Sequence, residues 1–272
     1  MNKPRFTIAT VTYNAAATIE RTLHSVAQQD YPWVEHLIID GCSSDGTLQI
    51  IRSFDAAQEP SFGSKAGEPA GSRHIRLISE RDKGLYDAMN KALRLATGHY
   101  IVFLNAGDTF PSASTLSLLA AGVRQGEEAG WPAILYGQTD IVDNEGRFLR
   151  HRHYDAPEVL TFRCFLRGML VCHQAFYVRT DLAREVPYDL RYRYSADYDW
   201  CIRLIREAEE RHLPIHNSHL LLAHYLSEGL TTQHHRASLW ERMCIMGRHY
   251  GWIHMLITHF NIIRKKIWKK FV

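Results

Sequence analysis

The sequence has no CxxC pair, and its five cysteines (Cys42, Cys164, Cys172, Cys201, Cys244) are odd in number and scattered. That fits a reducing compartment better than a disulfide framework. Zinc-type spacing is also missing, since His151/His153 and His234/His235 alone do not supply a ligand set. No stretch reaches the roughly 18 uncharged apolar residues of a bilayer-spanning helix. The opening MNKPRFTIATVTYN has no apolar run ahead of a small-residue cleavage site, so it is not expected to be a secretory leader. GxGxxG and GxxxxGK[ST] are both absent, which removes the phosphate grips of dinucleotide-binding folds and P-loop enzymes. Charge imbalance is small: 32 basic against 29 acidic residues leave a formal +3 over 272 residues, against a dedicated nucleic-acid binder. With 46% hydrophobic residues the chain can bury a large core, which excludes disorder. An intracellular globular protein is expected.

What charge there is divides unevenly. Six basic residues (Arg248, Arg264, Lys265, Lys266, Lys269, Lys270) and no acids lie from Arg248 onward. The preceding chain therefore holds 26 basic and 29 acidic groups, so a mildly acidic body precedes a basic tail.

Strands and helices alternate in the first hundred residues. Phe6–Val11 is short, β-branched and apolar, and Ala15–Gln28 follows with helical spacing at Ile19, Leu23 and Val26. His36–Ile39 runs into the turn-rich loop Asp40–Thr47, and Leu48–Phe54 is helical again. A third strand is expected at Ile75–Ile78, a helix from Asp82 to Ala96 and a buried strand at Tyr100–Leu104. Between the second helix and third strand, Asp55–Arg73 is rich in Gly, Pro, Ser and Ala and reads as a surface insertion. Such alternation predicts an α/β fold with a mostly parallel central sheet flanked by helices. The second half is less regular: a strand near Ile134–Tyr136, a hairpin around Asp143–Gly146, a helix from Tyr198 to Glu210 and a strand at Leu220–Tyr225.

Parallel sheets bind ligands at the strand C-terminal ends. Four loops there carry polar residues: Thr12-Tyr13-Asn14, Asp40–Thr47, Glu80–Gly84 and Asn105–Asp108. Asp40 can accept a hydrogen bond from a base or ribose, or else cap its own turn, and Asp45 reads as a turn and helix cap. Asp108 is suited to ligate a hard cation through oxygen, or to cap a helix over Thr109–Leu119. Further on, Asp197 and Asp199 open a helix beside aromatic residues. There a carboxylate serves equally well as a cap or as a partly desolvated base.

Five segments in order, VTYNAA (Val11–Ala16), IIDGCSSDGT (Ile38–Thr47), SERDKGLYDAMNKAL (Ser79–Leu93), ATGHYIVFLNAGD (Ala96–Asp108) and SADYDWCIRL (Ser195–Leu204), resemble a family 2 glycosyltransferase with a GT-A fold. The flavour is that of the colanic-acid and capsular-polysaccharide branch of bacterial enzymes, and the likeness covers about Phe6 to Thr232. It implies inverting transfer of a sugar from a nucleotide-diphosphate donor, a UDP-sugar first, to a hydroxyl of a glycan acceptor that is lipid-linked. It also implies a divalent cation, Mn²⁺ or Mg²⁺. By the resemblance, Thr12, Tyr13, Asn14, Asp40, Asp82, Lys83, Asp87, Asn90 and Asn105 belong to the nucleotide pocket, with Asp108 the metal ligand and Asp197 the general base. His173, Gln174 and Asp199 would contact acceptor or sugar, with polar residues satisfied in the core as the other reading of His173 and Gln174, and His224 with Glu228–Thr231 would close over the diphosphate. Two positions depart from the pattern: the first acid of the metal motif is Asn105, and the Glu expected before the base is Ala196.

Two other classes fit less well. A non-catalytic nucleotide-sugar-binding member would have lost Asp197 or Asp108. A sugar nucleotidyltransferase would show Gly and basic residues after the first strand, and Thr12–Ala17 has neither. The chain is expected to divide into a transferase domain, 1–232, and a basic amphipathic helical tail, 233–272. In the tail, Leu256, Phe260, Ile263, Ile267 and Phe271 form one stripe, with lysines off it. That pattern suits an anionic membrane surface, and so the cytoplasmic face of the inner membrane, or else a helix docked on the body.

Overall fold

The computed structural model describes residues 3–57, 75–123, 130–227 and 235–257. Its first half is β1 (Phe6–Thr12), α1 (Ile19–Ala27), β2 (Val34–Asp40), α2 (Thr47–Ala57), β3 (Ile75–Ser79), α3 (Leu85–Leu95), β4 (Tyr100–Phe103) and α4 (Thr115–Gly122). Then come β5 (Ile134–Val142), β6 (Phe148–His151), β7 (Phe176–Arg179), α5 (Thr180–Glu185), α6 (Ala196–Glu210), β8 (Ile215–Leu226) and α7 (His235–Tyr250). A short helical segment over 252–257 follows. The insertion read at Asp55–Arg73 lies, from residue 58, outside the described residues, as do the tail beyond 257 and Glu228–Thr231.

Among the described residues, eight strands form one sheet in the order β3-β2-β1-β4-β7-β5-β6, with β8 paired to β5. The β3-β2-β1-β4 half is parallel, as the alternation predicts. Beyond it β7 pairs antiparallel with β4 and β5, β6 antiparallel with β5, and β8 parallel with β5. Every residue of β1 and β2 is buried, as in a sheet covered on both faces. Alternate side chains of β1 go to different layers. Ala9 and Val11 join the core under α3 and α6, whereas Phe6 and Ile8 join one with Leu116 and Leu119 of α4. The strand order reverses at β1, which lies between β2 and β4; a crevice forms outside such a switch point.

Several boundaries differ from the sequence reading, with β5 running on to Val142 and β8 starting already at Ile215. Helix α3 starts at Leu85, not Asp82, because Asp82 turns back to accept the Gly84 N–H at 2.8 Å, and Gly84 takes φ 117°. Helix α4 starts at Thr115 after Pro111 and a knot of Ser112, Ser114 and Thr115 hydrogen bonds. Helix α6 gains two residues and starts at Ala196.

Helix α7 docks on the body. Ile245, Met246 and, beyond it, Met255 are buried in the core shared with α3 and α6. No helix among the described residues is long and apolar enough to cross a membrane.

Candidate functional site

Register brings the loops together. Thr12 is level with Asp40, and Asp40 with Ser79, so β1, β2 and β3 end on one line. The turns that follow need unusual backbone: Asn14 (φ 50°) and Cys42 (φ 63°) are left-handed. Gly41 lies against Asp82 and Tyr13, and a Cβ there would come within 2.7 Å of Asp82 Oδ2 and 3.3 Å of the Tyr13 ring. Tyr13 is 66% exposed at this rim. Asn14 is engaged in the loop, its Oδ1 accepting from Ser44 N at 2.9 Å. Asp45 is the expected cap, accepting from Thr47 N and Oγ1.

Several expected nucleotide contacts turn inward. Asp40 is wholly buried, and Ser43 N, Ser43 Oγ and Ser79 Oγ donate to its two oxygens at 3.0, 2.5 and 2.7 Å. It braces the loop instead of meeting a base. Asn90 is a second correction: its amide pairs with the backbone O and N of Tyr188 at 3.0 and 2.7 Å. Its place on α3 faces the core, where it pins the segment before α6. Asp87 accepts the Lys83 N–H at 2.9 Å, a cap for the start of α3, and Lys83 is exposed.

A second group gathers beside β4. Tyr86 of α3, Asn105 after β4, His173 in a 3₁₀ turn (His173–Ala175) before β7, and Asp197 of α6 form one connected set. Tyr86 Oη donates to Asp197 Oδ1 at 3.1 Å, and His173 Nδ1 is 3.2 Å from Asp197 Oδ2. On the far side of the imidazole, Asn105 Nδ2 lies 3.3 Å from Nε2. With Nδ1–H donated to the carboxylate, Nε2 is free to accept from that amide. The side chains of His173 and Asp197 are 9% and 14% exposed. Burial works to raise the Asp197 pKa, but the His173 hydrogen bond and the His173, Arg242 and Tyr86 groups hold it below the usual carboxylate range. Burial, with the Asp197 charge beside it, pushes the Tyr86 hydroxyl well up, so it stays a donor.

Asp108 does not fit a metal site. It is 3% exposed, Leu226 N–H donates to Oδ1 at 2.9 Å, and Gln174 Nε2 donates to Oδ2 at 2.9 Å. Burial, partly offset by these donors, pushes its pKa up to about 6. Asn105 Oδ1 is buried without a partner, but it is one neutral oxygen. Among the described residues no three His, Cys, Asp or Glu stand together to hold an ion. Gln174 is corrected with Asp108. It is 1% exposed, bonded to Asp108 and Cys172, and part of the core. Asp199 is corrected too: it is buried, and it pairs with Arg203 Nε at 2.6 Å and His249 Nε2 at 2.7 Å. His224 is held through its backbone, exchanging hydrogen bonds with Thr109.

Tyr86 lay within a quoted motif without a role, and its contact with Asp197, 111 positions away, was invisible in sequence. Arg242 near Asp197 had no sequence signal at all.

The description Glycosyl transferase family 2 matches residues 7–186. A PGL/p-HBAD biosynthesis glycosyltransferase of Mycobacterium bovis (strain BCG / Pasteur 1173P2) is 35% identical over 206 residues, 75% of this chain and 70% of that protein. In solved structures, S. aureus TarS 1-349 in complex with UDP-GlcNAc superposes with TM-score 0.65 at 20% identity, over 90% of this chain and 66% of TarS 1-349. The mannosyltransferase PcManGT from Pyrobaculum calidifontis, in complex with GDP-Man and Mn²⁺, superposes with TM-score 0.60 at 17% identity, over 95% and 74%. These two likenesses support a shared GT-A-type fold, and with two thirds of its length matched, this chain belongs to glycosyl transferase family 2.

Proposed function

We propose that this glycosyltransferase moves a sugar from a nucleoside-diphosphate donor, a UDP-sugar first, to a hydroxyl of a cell-surface glycan acceptor, with inversion. Asp197 is the general base. The observation that carries this reading is the Asp197 carboxylate itself, partly buried at the start of α6 and held by Tyr86 on one oxygen and His173 on the other. These two donors fix its direction and keep it ionised. The acceptor O–H proton passes to Asp197 as the acceptor oxygen bonds to the anomeric carbon. The bond from that carbon to the diphosphate breaks, and the nucleoside diphosphate leaves with the electron pair. Attack opposite the leaving group inverts the centre. On the donor side, Tyr13 offers an exposed ring for stacking on the base, with Asp82 and the Thr12–Asn14 backbone beside it. Asn105 Oδ1, buried and unpartnered, is suited to accept a sugar or ribose hydroxyl. Both oxygens of Asp108, the acid expected to anchor a metal, are engaged by the Leu226 N–H and the Gln174 amide.

The test is a screen of UDP-, GDP- and dTDP-sugars for release of nucleoside diphosphate, with Mn²⁺ and with EDTA, on wild type and Asp108→Asn. Release from one donor class is expected, and Asp108→Asn should leave any Mn²⁺ response unchanged. Turnover of no donor in the presence of lipid-linked glycan would sink the reading. A Mn²⁺ response abolished by Asp108→Asn would overturn the assignment of Asp108.

A lipid-linked acceptor puts the enzyme at a membrane surface. Trp240 in the first half of α7 and Trp252, Ile253, Leu256 and Ile257 beyond its end are between 53% and 73% exposed. In sequence, Arg264, Lys265, Lys266, Lys269 and Lys270 follow. Apolar anchors next to basic residues suit an anionic bilayer. Salt-sensitive sedimentation with phosphatidylglycerol vesicles is expected, lost in Trp252→Ser/Ile253→Ser. Equal recovery with neutral phosphatidylcholine vesicles would contradict it.

A further inference from the structure

Helix α7 follows the matched family region and was expected to belong to a separate tail, yet its side chains grip the start of the helix that carries Asp197. Glu241 accepts three backbone N–H groups. Arg193 N donates to Oε1 at 2.8 Å, and Tyr194 N and Ser195 N donate to Oε2 at 2.8 and 2.9 Å. A helix start leaves its first N–H groups unsatisfied, and here the segment leading into α6 is held by a carboxylate from another helix. Ser195 has no side-chain cap bond within its own helix. Its hydroxyl instead lies 2.9 Å from Ser238 Oγ, one turn before Glu241, and both serines are buried. One turn into α6, His249 reaches Asp199 at 2.7 Å, so α7 holds the first turn of α6 at two points with Asp197 between them. Arg193–Ser195 lie outside regular structure, in a bend that could otherwise swing the start of α6. The Tyr86 and His173 bonds, 3.1 and 3.2 Å, leave Asp197 little tolerance for such movement.

We propose that Glu241 is a positioning residue for Asp197: by collecting the Arg193, Tyr194 and Ser195 amides it fixes the start of α6, and so the reach of the base carboxylate toward the acceptor. This rests on Asp197 being the base. The hydrogen bonds of Glu241 go to the backbone before the helix start, and its charge also helps to push up the Tyr86 hydroxyl beside Asp197. Displacement of a reacting group by about 1 Å costs roughly 100-fold in rate, which sets the scale of the effect.

The test is a double-mutant cycle on the full chain, with Glu241→Ala and Glu241→Gln made in wild-type and Asp197→Asn backgrounds. The probe is the UDP-hexose with the highest release in the screen, with water standing in as acceptor. In the wild-type background Glu241→Ala is expected to lower kcat about 100-fold with donor KM within about twofold. Glu241→Gln keeps one acceptor oxygen and should recover part of the rate. On the Asp197→Asn background, loss of Glu241 should change the residual kcat by less than about threefold, because the group it positions is gone. Amide exchange at residues 193–195 should rise in both Glu241 variants. An equal fall in kcat in both backgrounds, or a folded Glu241→Ala with wild-type kcat, would overturn the proposal. If Glu241→Ala does not fold, Glu241→Gln carries the cycle. The base reading fails separately, through an active Asp197→Asn alone.

Discussion

Asp197→Asn is expected to lower kcat by roughly 10²–10⁴-fold, the range that a positioned general base supplies. The side chains are nearly the same size, and the Tyr86 hydroxyl still finds an oxygen to donate to. What is lost is the negative charge and the proton acceptor. The amide NH₂ also meets His173 Nδ1, 3.2 Å from the native carboxylate, and the imidazole must turn or change tautomer. The proposed nucleotide contacts lie at the other rim, around Tyr13, Gly41 and Asp82. UDP affinity by calorimetry should therefore stay within about twofold. Steady-state release of UDP checks the rate, and a folded variant with wild-type kcat would remove Asp197 from the mechanism. The pH profile carries a second signature. Because Asp197 is held below the usual carboxylate range, the acid side of the profile should fall only below that range. The Tyr86 hydroxyl, pushed well up, should add no inflection near neutrality.

Asp199→Ala is expected to destabilise the fold by about 3–5 kcal/mol, the usual cost of removing one partner from a buried ion pair. Asp199 is 1% exposed, and its side-chain oxygens answer both Arg203 and His249, so the variant leaves a buried imidazole and half a guanidinium pair without an acceptor. At about 2–4 °C per kcal/mol for a chain of this size, the thermal midpoint should drop by roughly 6–20 °C. The pH dependence follows in sign. Burial works to raise the Asp199 pKa, but His249 and Arg203 outweigh it and leave it below the usual range. A carboxylate depressed in the folded state stabilises it fully above its unfolded value of about 3.9, and that stabilisation is lost as pH falls through the folded value. Wild type should therefore lose more stability than Asp199→Ala between pH 5 and pH 2. Thermal melts across that range check both statements, and a variant midpoint within 2 °C of wild type would refute the first.

The parallel half of the sheet was legible because its strands are short apolar runs between polar loops, and the register that aligns Thr12, Asp40 and Ser79 follows from that pairing. Positions were easier to read than directions. Asp40 was placed correctly at a strand end, but Ser43 and Ser79 turn its carboxylate into the loop. Asn90 and Gln174 were assigned to a pocket by their place in motifs. Their partners, Tyr188 and Asp108, sit 98 and 66 positions away, and no local spacing encodes such pairs. Asp108 shows the same limit. A strand-end acid reads as an available ligand until the backbone of Leu226, 118 positions on, closes over it. In the tail, periodicity marked an apolar stripe, but not that Ile245 and Met246 spend theirs on the core or that Glu241 reaches a helix start.

The long reach of β8 has a consequence for the order in which the molecule is made. β8 pairs in parallel with β5, and its end meets Asp108 and Thr109. Parallel pairing across such separation forms late, since loop closure precedes any stabilising contact. During synthesis the β3-β2-β1-β4 half can settle as it leaves the ribosome, while Asp108 still lacks the Leu226 N–H that satisfies it. The base-bearing helix waits longer, until Glu241 and His249 have emerged. The nucleotide-side rim is therefore expected to exist on the nascent chain well before there is a base to use it.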